Sequence, residues 1–536
     1  MSTKTLETKT TTSKTLTSKT ATSKTSKTSL PKNSRKANYK KTVQHPLSDK
    51  VKTYEKMITS EGTLEHVENL ISANAIKSGR PRVFTVKMLL VGLMLIADQG
   101  VLHLTRIVKT LNGLDTNSKN VLGIKTKITR RQVEHLYGLI SELLTDENKY
   151  EKLDALTDQV MIASHKAAVK TGSIAVDGTS IESWGTKKVD KNTGEIKQTD
   201  LDAKWKKRSE NSPWKKPYFG YDLTAVVQIP DSAKETAPLF ARTVRFRPAT
   251  HQPVPTGLEA VIAAFQQIKD EHREPKDVLA DREYTATKDG SGFISPLRAL
   301  GFNPIFDLTV RQIGVNNVVR GTLIIDGQPF SPATPPDLRH LVQPPVSAPL
   351  RERIDYQNKI AIRSKYALIR HGKGLKNGAQ DYICPAQAGK ISCPLKPLKN
   401  PKLIWASSAP LTPSVGSVCT KKFTRFHSIE MPLNQREHYG SYQWFQSMSR
   451  RNLVEGYFGN LKNGATENLQ RGTIRVRGIY KTGILVIFAA SAANMRLING
   501  YTPKLKQSKP RGRKPIIGVK AHHPIENKRI IPLTKE

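Results

Sequence analysis

The chain has 536 residues, of which 37 % are hydrophobic and 24 % charged, and 86 Lys and Arg against 45 Asp and Glu leave a formal net charge of +41. At roughly 150 residues per domain the length suggests about three to four domains, and a charge surplus of this size points to a polyanionic partner, nucleic acid before an anionic membrane surface. Three cysteines exclude a disulfide-stapled secreted scaffold, the N-terminus has no apolar core of the secretory kind, and the greasiest stretch, 83–97, is broken by Lys87 and falls short of the ~20 residues a membrane span needs.

In chain order, residues 1–50 are predicted to be a disordered basic tail. Thr-Ser-Lys-Thr recurs there, and twelve Lys and Arg stand against two acids. No apolar period runs through it, so no core can form. Residues 60–165 read as an all-helical DNA-binding domain. Leu64, Val67, Leu70 and Ile71 recur at helical spacing, an apolar helix covers 86–97, and further helices cover 102–111 and 130–144. The last opens on Thr129, a helix-capping residue, followed by Arg130 and Arg131. That basic start predicts DNA contact by Arg130 and Arg131 in a module of the helix-turn-helix kind.

Residues 170–305 alternate short strands with a helix and predict an α/β core. Strands are expected at 173–176, 221–229, 241–246 and 277–280, with a helix at 258–269. Residues 306–435, rich in proline, glycine and short β-like runs, read as a β-rich insertion. Helical patterning returns over 436–500 and ends in an apolar helix at 483–495. Residues 503–536 are a basic, proline-rich tail.

Asp177 and Asp281 each close a predicted strand and enter a loop, the place where functional groups collect in open α/β sheets. Further on, the stretch 451–462 reads as an amphipathic helix. At about 100° per residue, Arg451, Glu455 and Lys462 fall within about 40° of each other, while Leu453, Tyr457 and Leu461 form a separate apolar stripe. An i,i+4 surface ion pair is the plainer explanation of Arg451 and Glu455.

Three motifs in order carry a family resemblance. Arg451, Glu455 and Lys462 have the spacing R-x3-E-x6-K, similar to the third motif of the DDE transposases of bacterial insertion sequences, in the branch with Y-x2-R-x3-E-x6-K. Met448 stands at the tyrosine position. Asp177-Gly178-Thr179 resembles the first motif, and Asp281-Arg282-Glu283-Tyr284 resembles the second, D-R-x-[YF]. The resemblance implies a ribonuclease-H-like catalytic core around Asp177, Asp281 and Glu455, which would hold two Mg²⁺ ions, with Mn²⁺ as a substitute. It implies cleavage at transposon ends and transfer of the freed 3′-OH into target DNA, double-stranded DNA as partner, and a homodimer in the DNA complex. Arg451 and Lys462 would then hold phosphates, with Arg282 and Tyr284 at the DNA. The competing readings are an inactive, transposase-derived DNA-binding protein and a non-enzymatic nucleic-acid-binding regulator. A cytoplasmic, nucleoid-associated location with no membrane contact is expected.

Further elements fit a nucleic-acid partner. Lysines and arginines alternate with Trp205, Trp214, Tyr218 and Tyr221 over 204–221, a composition suited to tracking phosphates and stacking on bases. Arg511-Gly512-Arg513 resembles an AT-hook, which lays arginines in a narrow minor groove. Asp222, Glu182, Glu283, Asp307 and Asp326 are competing acids outside any motif, with Glu283 as the accessory candidate. Cys384, Cys393, Cys419 and His427 lack compact zinc spacing and read as ordinary thiols and an unrelated histidine.

Overall fold

The computed structural model describes residues 47–502, apart from 75–81, 190–191, 209–215, 286–291, 375–378 and the single positions 148, 195 and 346. Most of the N-terminal tail, Trp214, and the C-terminal tail with Arg511 and Arg513 lie outside the described residues. The described chain is mixed α/β, with helices first and a sheet-rich region after them.

It opens with α1 (Leu47–Ser60), α2 (Thr63–Ser72), α3 (Val86–Asp98), α4 (Leu104–Asn112), α5 (Thr116–Leu122), α6 (Arg130–Leu143) and α7 (Glu151–His165). Local chemistry sets several of these boundaries. The Thr85 hydroxyl accepts from the Met88 amide at the start of α3, and Asp115 accepts from Ser118 at the start of α5. Thr129 and Gln132 close a capping box at the start of α6. Every residue of α3 from Met88 to Ala97 is buried, which explains why its sequence shows so little amphipathicity.

Next come β1 (Ser173–Glu182), β2 (Lys187–Val189), β3 (Ile196–Gln198), β4 (Lys204–Lys206), β5 (Tyr218–Ile229), β6 (Ala241–Pro248), α8 (Pro253–Asp270), β7 (Asp277–Ala280), α9 (Ile294–Ala299) and β8 (Asn303–Phe306). The main sheet runs β4-β5-β1-β7-β8, with β6 also paired to β5. β1, β5 and β6 are antiparallel neighbours, whereas β7 and β8 run parallel to β1. Helix α8 begins five residues before the expected position because Pro253 occupies its first turn, where a missing N–H costs nothing.

β1 corrects the expectation that Asp177 ends a strand. Pairing with β5 continues through Asp177↔Ala225 to Glu182↔Gly220, so Asp177 lies inside the strand. Gly220 makes that length possible: a Cβ there would sit 2.2 Å from the Ile181 carbonyl oxygen. The side chains alternate between two cores, as a pleat requires. Ile174, Val176 and Val226 pack with Val261, Ala264 and Ile268 of α8, whereas Ala175, Ala225 and Val227 join the core on the opposite face.

Within residues 306–435 the chain forms β9 (Val315–Val319), β10 (Thr322–Ile325), β11 (Gln328–Phe330), α10 (Leu350–Ser364), β12 (Ile369–His371), β13 (Gln380–Ile383), β14 (Ile391–Ser392), β15 (Ile404–Trp405) and β16 (Thr424–Phe426). These strands make small separate sheets around a core of their own, with Ile325, Phe330, Tyr382, Ile391 and Phe426 at its centre. The chain then returns to the main body as α11 (Tyr442–Met448), α12 (Asn452–Lys462) and α13 (Ile479–Asn499). α13 is 21 residues long and apolar enough to cross a bilayer by composition, but most of it is buried inside the protein.

The helices α1–α7 share one continuous hydrophobic core with α13 and the sheet. They are therefore a layer on the sheet and not a separately cored unit. The seam is polar as well as apolar. The Asn494 side chain bonds both the amide and the carbonyl of Ala241 at 2.8 Å and donates to the Ser164 hydroxyl at 2.9 Å. On β6, Arg245 forks onto Asp158 of α7 at 2.8 and 2.9 Å, and Arg247 reaches both Asp154 of α7 and Glu259 of α8.

Arg245 is only 4 % exposed, so truncating it leaves Asp158 without its cation and empties space at the seam. Arg245→Ala is expected to lower unfolding free energy by about 3 kcal/mol. Arg130→Ala, which removes an exposed i,i+4 pair with Glu134, should change it by less than about 0.5 kcal/mol. Chemical denaturation of the two variants checks this, and equal losses would contradict the account of the seam.

Candidate functional site

The site starts from strand register. β1 and β7 pair in parallel at Ile174↔Val278 and Ala175↔Leu279. Two steps further along each strand stand Asp177 and Asp281, and two steps on a pleat return to the same face. That face is the one carrying Ala175 and Leu279, toward α12 and α13. Each aspartate is oriented locally: Asp177 Oδ1 accepts from the Gly178 amide at 2.8 Å, and Asp281 Oδ1 from the Arg282 amide at 2.6 Å. A short 3-10 turn, Arg282–Thr285, follows Asp281.

The third acid arrives from far along the chain. A 3-10 turn, Ser449–Arg451, runs into α12. Val454, Tyr457, Phe458 and Leu461 form the buried face of that helix. This corrects the expected stripe in part: Tyr457 and Leu461 are buried as expected, but Leu453 is only half-buried, and Val454 and Phe458 join the inner face. Glu455 is left on the open face, above the sheet.

Arg451 ties the three acids together. Its Nη1 lies 2.8 Å from Glu455 Oε1 and 3.5 Å from Asp177 Oδ2, and its Nη2 lies 3.1 Å from Asp281 Oδ2. The guanidinium side chain is only 12 % exposed. Burial opposes its charge, but Asp177, Asp281 and Glu455 around it more than compensate and hold it above its ordinary value. Burial raises Asp177 to about 6, with Arg451 pulling it back and the other two acids adding to the rise. Among the described residues, no three His, Cys, Asp or Glu side chains are arranged around a common point that would hold an ion. The acids converge on the guanidinium.

Lys462, about two helical turns beyond Glu455 and on the same side, donates from Nζ to Thr179 Oγ1 at 2.6 Å. Burial and the neighbouring Arg208 push it down to about 8. Beside this pair opens a cleft of about 230 Å³, with Gly178, Thr179 and Ser180 along one side and Lys206, Lys207 and Arg208 among its basic walls.

Arg450 is a positioning residue that the motif spacing does not reveal. It is buried, reaches Asp277 Oδ2 at 2.5 Å, and donates to the carbonyls of Pro230 and Asp231 at 2.9 and 3.0 Å. It thereby pins the turn carrying Arg451 to the start of β7. The Arg450-Arg451 doublet is visible in the sequence, but nothing in it says that one member points inward.

The other candidates separate clearly. Asp222 is held by Lys206 and Tyr218, Glu182 by Arg208, Asp307 by Tyr439 and Asp326 by Arg363. Glu283 is exposed and lines the cleft. Arg130, Arg131, Arg282 and Trp205 are exposed. Tyr284, expected at a DNA surface, is corrected: it is 1 % exposed, packed on Phe293 and so close to Gly257 that a Cβ there would lie 2.4 Å from its ring. Its bulk seals the sheet under α8 and is not available to DNA. Cys384, Cys393 and Cys419 are free thiols lining one small cavity of the insertion, and burial pushes Cys419 up to about 11.

No family model matches this chain, and no curated protein matches it. Among solved structures, it is similar to a piggyBac transposase in a synaptic complex with hairpin DNA, at 11 % sequence identity and a TM-score of 0.34, over 84 % of this chain and 74 % of that one. A likeness that distant assigns neither fold nor function.

The site has a definite electrostatic signature. An acid held above its unfolded value binds its proton more tightly when folded, so Asp177 costs stability as pH rises from about 4 through about 6. Removing Arg451 takes away the group that opposes this rise. In Arg451→Met the Asp177 carboxyl is expected to titrate above 6, read by carbon NMR of labelled aspartate. A value unchanged or lowered would contradict the bridging role.

Proposed function

We propose that this chain is a DNA transposase that cleaves phosphodiester bonds at the ends of a mobile element and joins the freed 3′-OH to target DNA. The observation that carries this reading is the meeting of Asp177, Asp281 and Glu455, from three distant parts of the chain, around one buried guanidinium. A ribonuclease-H-like core is part of the reading. It is supported by the mixed sheet, with Asp177 in β1, Asp281 directly after the adjacent parallel β7, and Glu455 on a helix packed against β1.

The donor chemistry suits hard divalent cations, although in this structure the three acids surround Arg451 and not a common ion position. Three carboxylates offer oxygen ligands, which Mg²⁺ prefers, and Arg451 already marks the pocket as a place where positive charge is favoured. When bound by Asp177, Asp281 and Glu455, two Mg²⁺ ions, or Mn²⁺ in their stead, would supply an activated water and stabilise the leaving 3′ oxygen. The chain's own residues do the rest. Asp177 lies deepest and is shared by the whole site, while Asp281 and Glu455 flank it. Arg451 neutralises the acids, and its planar fork is of the kind that would hold a phosphate. Lys462, fixed by Thr179 at the mouth of the basic cleft, holds a second phosphate as a compact charge. Two DNA ends must be held together for transposition, so the working form on this reading is a homodimer on DNA.

The decisive test is Mg²⁺-dependent nicking of the element's flanking DNA by Asp177→Asn and Glu455→Gln. Both are expected to retain DNA binding and to lose nicking by about a hundredfold or more, in line with removing a group that acts at the reacting atoms. Unchanged nicking in both removes the site assignment, and wild-type binding without nicking would leave only a DNA-binding protein. Lys462 adds a pH test. It loses its charge as pH rises through about 8, so DNA affinity should fall between pH 7 and 9, and Lys462→Arg should flatten that fall because arginine stays charged.

A further inference from the structure

The connection between α12 and α13, residues 463–478, carries three arginines and a single acid. That acid, Glu467, is buried and forked onto Arg496 of α13 at 2.7 and 2.8 Å, so it does not face outward. The segment is rigidly held at both ends. The Gly478 and Ile479 amides donate to Asp200 at 3.1 Å and Asp202 at 2.7 Å, and Asn468 donates to the Gly100 carbonyl in the turn between α3 and α4. Between these anchors the side chains alternate. Ile474 is buried and Val476 packs on the core, whereas Arg471, Arg475 and Arg477 are exposed.

Arg475 is further fixed. Its guanidinium lies 5.2 Å from the centroid of the Trp184 ring, and its Nε donates to the Gly472 carbonyl at 3.2 Å. Trp184 follows β1, the strand of Asp177, and remains 44 % exposed. Among the described residues, none of Arg471, Arg475 and Arg477 has a carboxylate within ion-pair distance. Like charges gathered without counter-ions on a rigid frame repel one another, and a polyanion relieves that repulsion.

We propose that Arg471, Arg475 and Arg477, with Arg475 set by Trp184, form a track for the backbone of duplex DNA. The loop that carries it touches the helical layer where Asn468 donates to the Gly100 carbonyl. The track rests on the transposase reading for the identity of its partner only. Trp184 is a positioning residue: its ring face holds the arginine plane in one orientation, ready for a phosphate.

The test uses the full chain, a mixed-sequence DNA duplex and its single strand, with affinity measured by fluorescence anisotropy across a salt series. Arg475→Ala with Arg477→Ala is expected to weaken duplex binding about tenfold or more and to reduce the slope of log affinity against log salt by about 0.9 for each phosphate that is no longer neutralised. Trp184→Ala should reproduce part of this weakening, and Trp184→Phe, which keeps a ring face, should restore it. Thermal melting followed by circular dichroism checks that the variants are folded. Unchanged duplex affinity and slope in the double variant overturn the proposal, as does a weakening confined to the single strand. Nicking by the wild type separates the two ideas: a wild type that binds duplex through these arginines but never nicks would sink the nuclease reading and leave the track standing.

Discussion

Two parallel strands in register deliver their side chains side by side, and everything at the acidic site depends on that constraint between β1 and β7. The register at Ile174↔Val278 fixes where Asp177 and Asp281 emerge, and the two-residue repeat fixes that they emerge on one face. A slip by one residue would send one aspartate into the core under α8 and leave the other alone. The buried alternation of Ile174, Ala175 and Val176 between two different cores makes such a slip costly, so the hydrophobic pattern of the sheet is also what aligns its charges.

Arginines buried against acids do the complementary work of attaching helices to that sheet. Arg450 secures the start of α12 through Asp277 and two carbonyls, while Arg242, Arg245 and Arg247 connect β6 to its flanking helices. Such pairs contribute little net stability compared with apolar packing, yet each penalises any arrangement that leaves its partner unpaired. A chain with a surplus of +41 has many cations to place. Some of its acids stand at buried joints and at the site, and many of the lysines and arginines among the described residues face solvent.

Much of this was readable from residue order, for reasons that differ by element. α6 was legible because Thr129 and Gln132 form a capping box and the apolar residues recur at helical spacing. β7 was legible as a short apolar run ending in Asp281. β1 was underestimated because its second half, from Asp177 onward, carries polar and small residues, and only pairing with the long β5 reveals it as strand. Tyr284 was misjudged for a related reason: an aromatic beside an acid and an arginine looks like a surface group, and its burial against Gly257 and Phe293 depends on tertiary packing. The spacing of Arg451, Glu455 and Lys462 foretold a shared helix side. That Arg451 would reach two further acids on other strands, and that Arg450 would turn inward beside it, depended on packing across more than a hundred residues.

The insertion also bears on how the protein comes into being. Asp177 and Asp281 lie on strands made early in synthesis, but Glu455 follows residues 306–435, which fold around a core of their own. Loop closure favours local pairings first, and domains fold as they emerge. The ribosome therefore releases the aspartate pair long before the glutamate, and an unfinished chain holds an incomplete set of acids. A premature stop anywhere in the insertion yields a fragment that retains the helical layer and much of the sheet but lacks the final acid, α12 and α13, so assembly of the full acidic trio is confined to the completed polypeptide.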